Sequence, residues 1–138
     1  MYKLIVSDID ATLINSKFLI PDYNLEMIRR VREAGIDFML CTGRIFGSAR
    51  PYAKFLGLTA PIISSNGAVT MEWEDHRELF GTPMSPEICA EVFNILDDID
   101  IYYHFYSKET FYTRKFLYES NVIKVMDESL PEDERFDM

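Results

Sequence analysis

The chain is short of cysteine, of basic residues and of long apolar runs, and each shortage removes a class of protein. Cys41 and Cys89 are the only cysteines among 138 residues, with no CxxC spacing. They read as buried thiols of a cytoplasmic protein rather than a disulfide framework or a zinc site. Lysine and arginine total 14 against 23 aspartates and glutamates, a formal net charge of −9. Binding a phosphate backbone needs clustered cations, so a general nucleic-acid binder is not expected. No apolar stretch approaches the roughly 20 residues that span a bilayer, and the N-terminus lacks the apolar core of a signal peptide. The expectation is a soluble, cytoplasmic protein without a membrane partner. Internal repeats and low-complexity segments are also missing. What is present is a 48% hydrophobic share, enough for one packed domain, or for one core plus a small lobe.

The apolar run Leu4-Ile5-Val6 reads as a buried strand over residues 3 to 8. Residues 11 to 20 read as a loop ending at Pro21. Asp22 is the expected N-cap of a helix from Tyr23 to Ala34, with Leu25, Ile28 and Val31 on one stripe, and Gly35 is expected to stop it. Ile36 to Cys41 reads as a second strand, Phe46 to Leu56 as a helix closed by Gly57, and Pro61 to Ser64 as a third strand. Strand–helix–strand–helix–strand predicts right-handed βαβ units and a parallel sheet. After Asn66-Gly67 the pattern changes. Ala68 to Met71 and Arg77 to Phe80 flank the turn-like Glu74-Asp75-His76 and predict an antiparallel hairpin. Ser85-Pro86-Glu87 opens a helix to about Asp98, with Ser as N-cap and Pro at the first position. Two strands, Ile101 to Tyr106 and Thr110 to Thr113, then a weak helix near Lys115 to Ser120 and an acidic tail complete the reading.

The feature that carries most chemistry is Asp8-Ile9-Asp10-Ala11-Thr12, at the end of the first strand. Side chains two apart on a strand share a face, so Asp8 and Asp10 are expected to aim into one space at the strand's carboxyl end. Open α/β sheets bind their ligands there. Two carboxylates in one space repel unless a cation lies between them, which points to Mg²⁺. Taken alone, the pair has a bland alternative as a solvated pair at a strand end.

With Cys41-Thr42-Gly43-Arg44 ending the second strand and Ser65-Asn66-Gly67-Ala68 ending the third, the chain resembles the haloacid dehalogenase (HAD) superfamily. Within it, the resemblance is specifically to Cof-type phosphatases with a C2 cap. Asp8 to Thr12 resembles the family's DxDxT motif, and Thr42-Gly43-Arg44 its second motif. The resemblance implies an α/β fold: a partial Rossmann-like parallel core with three βα strands, and a partial α+β C2 cap. It places the N-terminal part of the core at 1–67, a hairpin or linker into the cap at 68–82, and the partial cap at 83–138. It implies Mg²⁺-dependent hydrolysis of small phosphate monoesters such as sugar phosphates and nucleotide-like cofactors. Asp8 is then the nucleophile that forms an aspartyl-phosphate, and Asp10 the general acid and later base. Mg²⁺ is held at Asp8 and Asp10, through the main-chain carbonyl of the latter. Thr42, Gly43, Arg44, Asn66 and Gly67 bind phosphate or line the mouth of the site. Arg44 supplies a charged fork to phosphate or substrate.

Two departures from the family pattern follow. Ala11 stands where many relatives carry Gly, and if the position needs φ > 0 it costs on the order of 1 kcal/mol. The family's third motif, a Lys, and its fourth, one or two Asp, lie after the cap and are not found here. Lys124 and the acids Asp127, Glu128, Glu132, Asp133 and Glu134 are cap residues by position and do not fill those roles. The expectation is the N-terminal half of a phosphatase, weak or inactive as this chain. The rival readings are a folded fragment without turnover, a half-enzyme completed by another polypeptide, and a phosphate-binding or regulatory module. Without a strand on its far side, Leu4-Ile5-Val6 becomes an exposed apolar edge, which predicts a homo-oligomer or a chain supplying the other half of the core. The aromatics from Tyr102 to Tyr118 read as cross-strand packing, with a substrate-stacking face as the alternative. His76 and His104 lack metal-ligand partners at useful spacing, and Asp127 to Asp137 read as a solvated end.

Overall fold

The computed structural model describes residues 2–99 and 101–113, and the chain divides into two compact units, Met1–Gly81 and Thr82–Met138. In the first unit the chain runs β1 (Leu4–Ser7), α1 (Asp22–Glu33), β2 (Asp37–Cys41), α2 (Phe46–Phe55), β3 (Ile62–Ser64), β4 (Val69–Met71) and β5 (Glu78–Gly81). These strands form one sheet in the order β1-β2-β3-β4-β5. Pairing is parallel from β1 to β3 and antiparallel from β3 to β5. The predicted parallel βαβ core is therefore present. The predicted hairpin also forms, and because β4 pairs with β3 it continues the same sheet.

The crossovers β1-α1-β2 and β2-α2-β3 advance in the same direction along the sheet, and with the right-handed connection that is the rule for βαβ units both helices fall on one face. The burial alternation agrees with this. Phe38 and Leu40 of β2 and Ile62 of β3 are buried in one cluster with Ile28 of α1 and Phe46, Ala49 and Ala53 of α2. Each large side chain buried this way contributes about 1.5–3 kcal/mol of transfer free energy. On the other face, Met39, Cys41 and Ile63 are half-buried. β1, expected to be buried, is instead an edge strand among the described residues, and its Leu4, Ile5 and Val6 remain 45%, 37% and 49% exposed because no described strand covers that side.

Both core helices end as their glycines predict. Gly35 (φ +74°) follows α1, with its N–H donating to Arg32 O and that of Ile36 to Val31 O. Gly57 (φ +58°) follows α2 with the equivalent pair, to Lys54 O and from Leu58 to Ala53 O. Both are left-handed caps that satisfy otherwise unpaired carbonyls. Arg32 adds a tie across the helices, donating to Leu56 O at 2.8 Å and to Gly57 O. The start of α1 departs from expectation. Pro21 is the N-cap and makes no side-chain cap bond, and Asp22 is the first helical residue. Its carboxylate sits in the first turn, where the helix dipole favours negative charge.

In the second unit, α3 (Pro86–Asp98) starts at Ser85, whose Oγ accepts from Ile88 N–H at 3.3 Å with Pro86 at the first turn. β6 (His104–Tyr106) and β7 (Phe111–Thr113) pair antiparallel. β6 is shorter than the predicted strand, beginning at His104 rather than Ile101. Phe93 of α3 packs on Phe105 (4.2 Å between ring centroids) and Tyr103 (6.0 Å), so cross-element packing accounts for those two aromatics. Phe116, Tyr118, the helix expected near Lys115 to Ser120, Lys124 and the acidic run lie outside the described residues. Among the described residues, no helix is long and apolar enough to cross a membrane.

Candidate active site

The loops after β1, β2 and β3 build the site, all at the carboxyl ends of parallel strands. β1 ends at Ser7, so Asp8 and Asp10 are not strand residues and the expected strand alternation does not orient them. Instead the chain folds into one wide turn over Ile9–Leu13, closed by Ile14 N–H donating to Ile9 O at 3.0 Å. Ile9 and Leu13 anchor this turn in the core, while Asp8, Asp10, Ala11 and Thr12 stay exposed. Ile9 N–H donates to Asp8 Oδ1 at 2.7 Å, fixing that carboxylate at the turn's entrance. Asn24 of α1 holds the exit, donating to Leu13 O at 3.0 Å. Ala11 adopts φ +55°, the left-handed conformation that costs an L-residue about 1–2 kcal/mol.

Thr42 follows β2 and is buried. Its N–H donates to Ile63 O at 2.9 Å, and its Oγ1 accepts from Arg44 N–H at 3.1 Å. That leaves the hydroxyl hydrogen to donate elsewhere. The loop after β3 is stitched to this one by two main-chain bonds, Ser65 N–H to Arg44 O at 2.7 Å and Asn66 N–H to Thr42 O at 3.2 Å. Reaching those acceptors forces Ser65 (φ +51°) and Asn66 (φ +55°) into the left-handed region. Neither is glycine, so the loop stores backbone strain of order 1 kcal/mol or more. At Gly43 a Cβ would lie 2.9 Å from Asn66 Oδ1, so any larger residue there has to displace the Asn66 side chain.

Arg44 closes the site. Its Nε and Nη2 donate to Asp10 Oδ2 and Oδ1 at 2.8 and 2.7 Å, a two-point grip between the first and second motifs. Nη1 faces Ser48 Oγ and Tyr52 Oη, each at 3.4 Å, and the guanidinium carbon lies 5.1 Å from the Tyr52 ring centroid. The Arg44 side chain is only 9% exposed, against 48% for Asp10. Hydrogen bonds from Arg44 hold the Asp10 carboxyl below its ordinary pKa against the opposing effect of burial, and the charge of Arg44 adds to them. Burial works to lower the pKa of Arg44, but the bonds and charge of Asp10, together with Tyr52, outweigh it and raise the value.

The structure thus brings Asp10 and Arg44 into contact and joins Thr42, Gly43, Arg44 and Asn66 through one double loop. Gly67 (φ +91°) completes the turn after Asn66. The carboxylate of Asp8 is bonded locally, to Ile9. Arg44, expected as a fork for phosphate or substrate, directs that fork at Asp10. Tyr52 and Ser48 were not singled out from the sequence. The signal was available, since they follow Arg44 by eight and four residues and a helix brings such positions to one face. Among the described residues no group of three or more His, Cys, Asp or Glu side chains could hold a metal. Asp8 and the main chain of Asp10 do offer oxygen donors of the hard kind that Mg²⁺ takes.

The family model for haloacid dehalogenase-like hydrolases matches residues 5–137. A phosphoglycolate phosphatase of Methanoculleus marisnigri is 32% identical over 101 residues, covering 71% of this chain and 41% of that protein. A 5-amino-6-(5-phospho-D-ribitylamino)uracil phosphatase of Bacillus subtilis is 33% identical over 107 residues, 78% of this chain and 36% of its own. Among solved structures, a haloacid dehalogenase-like hydrolase from Bacteroides thetaiotaomicron superposes with a TM-score of 0.80 at 26% identity, over 93% of this chain and 50% of that one. The chain spans about half the length, or less, of the relatives it matches. A family match running through nearly the whole sequence, and a fold shared with a solved member, establish that this chain belongs to the haloacid dehalogenase-like hydrolases.

Proposed function

We propose that this chain carries the nucleophile-bearing part of a Mg²⁺-dependent phosphatase site for small phosphate monoesters. The observation that carries the reading is the convergence of three strand-end loops, with Asp10 of the first gripped by Arg44 of the second and the third tied to both Thr42 and Arg44. In this reading Asp8 attacks phosphorus. Ile9 N–H fixes Oδ1, so Oδ2 is the attacking atom, and an aspartyl-phosphate divides one hard displacement into two easier ones. Asp10, kept ionised by Arg44, takes the proton from the water that opens that intermediate. Its other role, protonating the leaving oxygen, requires the grip of Arg44 to slacken. The Thr42 hydroxyl donates to a phosphate oxygen, Gly43 leaves room for close approach, and Asn66 and Gly67 line the mouth.

Mg²⁺ would be held by the Asp8 carboxylate and the main-chain carbonyl of Asp10, and when bound it neutralises charge on the transferring phosphoryl group. Two protein donors make a weak site, so turnover by this chain alone is expected to be low. The substrate class is supported by the two relatives whose names specify phosphoglycolate and a phosphoribitylaminouracil. A cytoplasmic setting fits such metabolites. We further propose a second copy, or another chain, as a partner at the β1 edge of the sheet. The exposed apolar edge at Leu4 and Val6 favours that reading, because an unpaired strand edge invites another strand. The division into a core through residue 67, a connecting hairpin and a partial cap from residue 83 is part of the same proposal.

The deciding experiment is hydrolysis of p-nitrophenyl phosphate with Mg²⁺ by the purified chain, beside Asp8→Asn. Turnover that Asp8→Asn removes supports the reading. Turnover that survives Asp8→Asn rejects Asp8 as nucleophile, and no turnover at any protein concentration rejects catalysis by this chain. Turnover per chain that rises with concentration, alongside dimers in sedimentation, supports association with a second copy.

A further inference from the structure

The mechanism uses Arg44 but does not explain why its guanidinium lies where it does. A free arginine side chain has several rotatable bonds and loses about 2 kcal/mol of rotamer entropy when fixed. Loop residues alone do not impose one rotamer on so long a side chain. Here the constraint comes from α2. Ser48 and Tyr52 lie one turn apart on the same helical face, both within 3.4 Å of Nη1. The Tyr52 ring packs beside the guanidinium, with the carbon 5.1 Å from the ring centroid, within the range of a cation–π contact. Tyr52 is itself wedged against the buried cluster, so it is a rigid support. With the guanidinium confined by Tyr52 and Ser48, its remaining donors, Nε and Nη2, face both oxygens of Asp10.

We propose that Tyr52, assisted by Ser48, is a positioning residue that acts through Arg44 to hold the Asp10 carboxylate in one orientation. The inference rests on the phosphatase reading only for its kinetic consequence. The grip itself is a property of the folded chain. The ring is the larger part of the support, because the bonds at 3.4 Å are long. Loss of the ring therefore matters more than loss of the hydroxyl.

The test uses the full chain, uniformly ¹⁵N-labelled, and follows hydrogen exchange at Arg44 Nε–H, the peak being assigned by its disappearance in Arg44→Lys. Tyr52→Leu is expected to speed that exchange about tenfold, while Tyr52→Phe keeps it near the wild-type rate, because opening of the grip controls exchange. Backbone amide spectra and the thermal midpoint separate this from general unfolding, and Ser48→Ala is a second, less disruptive variant expected to give a smaller increase. Where the wild type turns over p-nitrophenyl phosphate, Tyr52→Leu lowers kcat about tenfold with KM unchanged, the pattern of a misplaced group. Unchanged Arg44 exchange in a folded Tyr52→Leu chain overturns the proposal, as does a rise in KM with kcat unaltered. Loosened exchange in a chain without turnover supports the positioning role and counts only against the phosphatase reading.

Discussion

Replacing Arg44 with alanine perturbs both the site and the stability of the first unit, and the structure allows the two shares to be estimated. The ion pair is two-point, but Asp10 is 48% exposed, so solvent screens it and its share is about 0.5–1 kcal/mol. The unpaired carboxylate in the variant can turn to water, which avoids the penalty of a buried lone charge. The whole arginine side chain is only 9% exposed, and loss of the packing of its stem contributes about 1 kcal/mol more. Arg44→Ala should therefore cost about 1.5–2 kcal/mol near pH 7. The sign of the pH effect follows from the lowered pKa of Asp10. A depressed folded-state pKa contributes stability that is fully present above the unfolded value, about 3.9 for Asp, and is lost as pH falls through the folded value. The ion-pair share should disappear at acid pH and the packing share should remain. Urea unfolding followed by Trp73 fluorescence measures this. It is the chain's single tryptophan, donates from Nε1 to Leu58 O at 2.9 Å, and packs on the core of the first unit. A cost that does not shrink between neutral and acid pH would show that the pair adds nothing and that packing is the whole effect. An equal cost in an Asp10→Asn background would lead to the same conclusion.

Two further predictions rest on the backbone. Ala11→Gly removes the left-handed penalty of about 1–2 kcal/mol but adds freedom to the unfolded chain worth about 0.4–1 kcal/mol. The net expectation is a gain of roughly 0.5 kcal/mol, read as a higher urea midpoint at unchanged slope; a lower midpoint would mean the turn gains nothing from glycine. Gly43→Ala drives a Cβ to within 2.9 Å of Asn66 Oδ1, so the Asn66 side chain must swing away. Inorganic phosphate titrated into labelled protein should then shift the Thr42 and Asn66 amides less than in the wild type, and equal shifts would remove Asn66 from the site.

Much of the core was legible because its determinants are local. The run Leu4-Ile5-Val6, the stripe Leu25, Ile28 and Val31, and the stop glycines Gly35 and Gly57 each act within a few residues. Periodicity and φ > 0 preferences therefore predict the βαβ order. The candidate site residues were legible as motifs for the same reason, since Thr42-Gly43-Arg44 and Ser65-Asn66-Gly67 are short loops at strand ends. The orientation of Asp10 was not legible. Alternation assumed a strand that in fact ends at Ser7, and the residue sits in a turn whose shape depends on burying Ile9 and Leu13.

The amino-acid sequence by itself determined the parallel βαβ core, the placing of two carboxylates after the first strand and the family to which the chain belongs. The first two follow from hydrophobic period, glycine and short-range chain geometry, and the family from the motifs Asp8 to Thr12, Thr42-Gly43-Arg44 and Ser65 to Ala68 together with the family match over residues 5–137. Only the tertiary structure decided what Arg44 grips, which residues brace it, and that β4 extends the core sheet. Those outcomes join positions far apart in the chain, such as Asp10 and Arg44, 34 residues apart. Their free energy exists only once the sheet has closed and α2 has docked, so no local pattern encodes it.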